Sequence, residues 1–217
     1  MILNKKAAMF GLDARIALAI FGALSVISGA ALYSAIQKSK ATAIMMQYEE
    51  IGKAVESYLL DVGSLPMTLT RNSISINATS EIGYLLQSSV AGWNGPYLPY
   101  KYVTRYSIEV NGYSTWLYLH GDRSAVTQLS NSVTCAPTSG VRPCFLYLQI
   151  RDTEFSSVAE AIDLFNLLDE HVDGGDGFKS GKIHAVQGSN STTSLDPSGA
   201  GVTLYYKLIP CEVGLCY

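Results

Sequence analysis

From Ile16 to Ile36 the chain reads IALAIFGALSVISGAALYSAI, 21 residues without a charged side chain. At about 1.5 Å per helical residue such a segment reaches about 30 Å, the thickness of a bilayer's hydrocarbon core. One helix of this kind crosses a membrane, and the rest of the chain must be read as attached to it. A cleaved secretory signal is the competing reading, because Lys5 and Lys6 form a basic start and GAALYSA offers small residues for cleavage. The run is longer than the about 7–15 residues of a signal's apolar region, and Asp13 with Arg15 is foreign to one.

The helical pattern continues past the apolar run. Ile44, Tyr48, Ile51, Val55, Tyr58, Leu59 and Val62 recur at steps of three and four, with Gln47, Glu49, Glu50, Lys53 and Glu56 between them. This predicts an amphipathic helix prolonging the apolar one from about Asp13 to Asp61, stopped by Gly63 and Pro66. Its apolar stripe needs a partner, and the residues that follow supply the mass for one globular domain.

In that remainder the period changes to two. RYSIEV and YSTWLYL, joined by Asn111-Gly112, predict a hairpin, since this pair tolerates the positive φ of a tight turn. CFLYLQI, GKIHAV and VTLYYKLI are further strands. EIGYLLQSSV reads as a short helical stretch after the polar TRNSISINATS. Ser157 and Glu160 make a capping box ahead of Val158, Ile162, Phe165, Leu168 and Val172, a second amphipathic helix that ends at DGGDG. The expected class is α+β: a long N-terminal helix on a mostly antiparallel sheet.

A net charge of −3 with no basic cluster after Lys53 argues against nucleic acid as a partner. The four cysteines fall as Cys135 and Cys144 around APTSGVRP, and Cys211 and Cys216 around EVGL. Two local disulfides are the simplest of the three possible connectivities, and the spacing does not match a paired zinc site. Disulfides persist in an oxidising compartment, which places the C-terminal part outside the cytoplasm and the N-terminus inside. His120, His171 and His184 stand apart, with no metalloprotease, nucleophile-elbow or phosphate-loop spacing, so neither an enzyme nor a bound cofactor is expected.

In DEHVDGGDGFKSG, the carboxylates of Asp169, Asp173 and Asp176 and a glycine-rich turn resemble a hard-cation site, but the EF-hand glutamate is absent. The favoured reading is a helix end and turn, with Gly174 and Gly175 left-handed and the aspartates in water. GWNGPYLP reads as a loop pinned to the core by its aromatics, and Asn77-Ala-Thr and Asn190-Ser-Thr fit the glycosylation acceptor pattern.

Three features resemble the type IV pilin and type II secretion pseudopilin class. KKAAMFG followed by LDARIALAIFGALSVISGAALYSAIQ looks like a basic leader ending at Gly11, cut before Leu12 by a prepilin peptidase. YEEIGKAVESYLLDVGSLP leading to GWNGPYLP is similar to the helix end and following segment of major pseudopilins, and LLDEHVDGGDGFKSGKI to a helix, turn and strand of many pilin-like proteins. The resemblance implies residues 1–11 as leader, 12–36 as the membrane half of the helix, 37–61 as its amphipathic half and 62–217 as a pilin-like domain. It implies prepilin peptidase and other pilin or pseudopilin subunits as partners. The location it implies is a bacterial inner membrane with the C-terminal domain periplasmic, or an extracellular filament after assembly. The family's usual glutamate, fifth after the cut, is Ile16 here, and Asp13 is the nearby carboxylate. That departure implies either that Asp13 substitutes in assembly or that the subunit is a minor one at a filament tip. The acidic calcium loop of major pseudopilins is missing. Ala19 and Ala23, and Ser25 and Gly29, each four apart, would let apolar helices approach closely. The other class of function weighed is a single-pass anchored binding or adhesin domain that forms no filament and uses GWNGPYLPYKY and the tyrosine-rich strands.

Overall fold

A computed structural model describes residues 5–71, 76–121, 144–188 and 194–211. Helix α1 runs unbroken over Lys5–Val62, 58 residues, so it begins well before the expected Asp13 and passes through Gly11. It stops where the sequence predicts: Gly63 adopts φ +76° and its N–H closes on the Leu59 carbonyl at 2.8 Å, an end that glycine makes without a Cβ penalty. By internal packing the chain separates into residues 1–40 and 41–217.

In the first unit the helix is exposed apolar surface. Leu18, Phe21, Val26 and Ile27 are each at least 65% exposed. Among the described residues this is the one helix long and apolar enough to cross a membrane.

In the second unit the same helix has a buried stripe. Ala41, Ile44, Tyr48, Ile51, Val55 and Tyr58 lie three or four residues apart and are all buried, while Glu49, Glu50, Lys53 and Glu56 are exposed. Each large member contributes about 1.5–3 kcal/mol by leaving water. The stripe joins one core with Ile108, Leu117, Leu146, Leu148, Ile183 and Leu204, and the Tyr48 and Tyr206 rings meet at 5.1 Å.

That core is floored by a six-stranded antiparallel sheet. Its strands are β3 (Lys101–Thr104), β4 (Ser107–Val110), β5 (Tyr113–Gly121), β6 (Cys144–Ile150), β7 (Ile183–Gln187) and β8 (Val202–Cys211), in the order β3-β4-β5-β6-β8-β7. The Asn-Gly hairpin is present, with Asn111 at φ 53° and Gly112 at φ 83°, and Val110 opposite Tyr113. Helix α2 (Val158–Val172) buries Ala161, Phe165 and Leu168. Its capping box is displaced by one residue: Ser157 Oγ accepts from the Glu160 N–H, but Glu160 reaches back to Ser156 N–H at 2.8 Å and takes the Tyr113 hydroxyl at 2.9 Å.

Three segments depart from expectation. The polar stretch contributes to a separate two-stranded sheet, β1 (Met67–Arg71) with β2 (Ile76–Ser80), in which Thr68, Thr70 and Thr79 suit a pleated ribbon and Met67 is buried in the core. Glu81 anchors this ribbon, accepting from Thr68 Oγ1 at 2.7 Å and pairing with Arg105. The short edge strand β3 is wholly exposed and carries no alternation to betray it. EIGYLLQSSV contributes a single 3-10 turn over Ile82–Leu85.

Candidate functional site

Two regions concentrate the residues that the sequence singles out. The first is the N-terminal half of α1. Gly11, Asp13 and Ile16 are exposed on it, and Leu12 lies within the helix. A Cβ built at Gly11 meets nothing within 4 Å, and the same holds at Gly22 and Gly29. Gly11 is therefore not a steric requirement of the helix. Ala19, Ala23, Ser25 and Gly29 are exposed as well, leaving shallow positions between the larger Leu24, Val26 and Ile27.

The second region is the turn after α2. Asp173 caps the helix, its N–H bonded to the Asp169 carbonyl at 2.9 Å, and Gly174 and Gly175 follow at φ 72° and 77°. The helix end and turn are thus as expected; the solvation is not. Asp169 is only 5% exposed, because it stands four residues after Phe165 and on the same buried stripe. Its Oδ2 accepts from Gly177 N–H at 3.1 Å, and Oδ1 is buried without a hydrogen-bond donor. Burial first, and then the neighbouring Asp176 and Asp173 charges, push its carboxyl above the ordinary carboxylate range. Asp173 is half-buried and its Oδ2 accepts from both Lys182 and Ile183 N–H at 2.8 Å; Asp176 is exposed.

GWNGPYLP is a lock on the end of α1. The Tyr97 hydroxyl donates to Asp61 at 2.8 Å, Trp93 Nε1 donates to the Tyr84 carbonyl at 2.7 Å, and Tyr97 meets Tyr58 edge-on at 5.8 Å. Gly92 at φ 86° lies so close that a Cβ there would sit 2.5 Å from the Asp61 carbonyl oxygen.

The cysteine positions converge in part. Cys144 and Cys211 are buried, neither is a free thiol, and they stand opposite each other on β6 and β8. Cys135 and Cys216 lie outside the described residues, as does Asn190; Asn77 is in β2. The structure also gathers a set the sequence reading missed. On the sheet face away from α1, the rings of His120, His184 and Tyr205 lie 6.1, 6.0 and 6.3 Å from that of Tyr147. Arg151 stacks over Trp116 at 4.3 Å on the same sheet. Trp116, Tyr118 and His120 alternate with Leu117 and Leu119 along β5, so a second, aromatic face was written in the period-two pattern. His171 is elsewhere, beside Thr42 Oγ1 at 3.2 Å.

No protein-family model matches the chain, and no curated protein or solved structure matches it either.

Proposed function

We propose that the protein is a structural subunit of a type IV pilus or type II secretion pseudopilus, held in the membrane by α1 and assembled through it. The observation that carries this reading is the division within one unbroken helix. Its first half exposes apolar side chains on every side, and from Ala41 onward its stripe is buried in a core. A helix of that kind rests in lipid as a monomer and can exchange lipid for the apolar helices of other subunits, since both neighbours are equally apolar. The leader 1–11, the cut between Gly11 and Leu12, the extracytoplasmic placement of residues 62–217 and the local disulfides Cys135–Cys144 and Cys211–Cys216 belong to this proposal. No catalytic role is included.

Intact-mass measurement of the membrane-extracted protein tests it. The expected N-terminus is Leu12, and Gly11→Val, which meets no obstacle in the helix itself, is expected to leave the leader attached. An intact Met1 in the wild type, or an N-terminus inside GAALYSA, would count against prepilin processing.

Asp13 has the assembly role to fill, because Ile16 stands where the family's glutamate would be. Asp13→Ala is expected to abolish incorporation into sheared filaments while leaving membrane insertion unchanged. Undiminished incorporation would remove Asp13 from the mechanism, and a dispersed, membrane-bound wild-type monomer would favour the anchored binding domain.

A further inference from the structure

We propose that the turn closing α2 binds a calcium ion through the carboxylates of Asp169, Asp173 and Asp176, tying the end of α2 to the start of β7. One carboxylate oxygen from each residue lies within 4.8 Å of the others. Calcium takes its oxygen ligands at about 2.4 Å, so ligands on opposite sides of one ion are about 4.8 Å apart. A spread of that size permits the three oxygens to share one ion with small side-chain adjustment. This is not the acidic loop of the major pseudopilins, which the chain lacks.

The independent sign is the buried oxygen of Asp169. A carboxylate oxygen withdrawn from water normally has a donor, and leaving it without one is costly. Asp169 Oδ1 has none, and the carboxylates of Asp176 and Asp173 that stand near it are themselves acceptors. A shared proton would satisfy at most two of these oxygens. A divalent cation satisfies all three.

The other ligands are held in advance. Both Lys182 and Ile183 N–H groups fix Asp173 by its Oδ2, leaving Oδ1 for an ion. The Asp173 carboxylate occupies the space where a Cβ on Gly181 would lie, 2.3 Å from its carbon, so Gly181 at φ 71° is what admits it. Glu170 brings a fourth carboxylate over the turn, with Oε2 2.8 Å from the Cβ position of Gly175. Oxygen-only ligands select a hard cation, and a flexible turn suits calcium, which tolerates irregular coordination, better than magnesium, which demands a regular octahedron at about 2.1 Å.

The test is independent of filament assembly. The full chain, solubilised in detergent and stripped with EDTA, is titrated with CaCl2 by calorimetry, and its melting is followed with and without 5 mM CaCl2. One saturable site with Kd of about 10⁻⁴ M and a rise in Tm of about 5 °C are expected. Asp176→Asn, a change at an exposed side chain, is expected to weaken binding at least about tenfold, and Asp169→Asn to remove it. Absence of saturable heat, an unchanged Kd in Asp176→Asn, or an equal Tm rise from 5 mM MgCl2 would overturn the assignment.

Discussion

Ile51→Ala is expected to lower the stability of the globular unit by about 2–5 kcal/mol, whereas Leu24→Ala on the same helix is expected to change it by less than about 0.5 kcal/mol. Ile51 is fully buried and faces the sheet core, so truncation removes three carbons from water-free contact and leaves a void that the six-stranded sheet cannot close. Leu24 is 57% exposed and belongs to the other unit. At about 2–4 °C per kcal/mol for a chain of this size, the first change should depress Tm by about 4–20 °C and the second by no more than about 2 °C. Tryptophan fluorescence reads the difference cleanly, because both tryptophans, Trp93 and Trp116, lie in the globular unit. Equal shifts for the two variants would mean that the helix is not divided at all.

How much of this was legible follows from range. The long helix was visible because its signal is local twice over: a charge-free run, then a stripe at steps of three and four that ends on Gly63. The Asn111-Gly112 hairpin was visible because two adjacent residues encode its positive φ values. The β1–β2 ribbon was not, since its strands carry mostly polar side chains and the Glu81 that holds it meets Thr68 and Arg105, 13 and 24 positions away. Strand β3 escaped for the opposite reason, having no buried face to write a pattern.

At the acidic turn the expectation of solvated aspartates holds for Asp176, fails for the buried Asp169 and holds only in part for the half-buried Asp173. Ala161, Phe165, Leu168 and Asp169 share the buried face of α2, so a carboxylate within an apolar stripe was itself the signal. What the sequence could not supply was the approach of Asp173 to Gly181, a contact made across the turn and dependent on a missing Cβ. The role of Tyr97 was equally hidden, since its partner Asp61 precedes it by 36 residues and the chain must first fold back onto the end of α1.

The largest expected effect concerns the medium around the apolar half. The double substitution Leu24→Arg with Ile27→Arg should transfer the protein from the carbonate-resistant membrane fraction to the soluble or aggregated fraction, while Met46→Arg should leave the partition unchanged. Two arginines near the centre of a spanning helix cost about 5–7 kcal/mol together on insertion scales, a factor of about 10⁴ or more in the partition. Leu24, Ile27 and Met46 are 57%, 65% and 66% exposed, so the folded chain itself does not distinguish them. Only a solvent that differs along the helix can. Met46 shares its stretch with Lys53 and Glu49, where water is the neighbour, and the added charge there is one more on a wet face. Unchanged melting of the globular unit in all the variants would place the whole effect in the membrane step. A double variant that still resists carbonate extraction would mean that the exposed apolar surface meets protein rather than lipid even before assembly, and the exchange of neighbours at the heart of the proposed function would have to be abandoned.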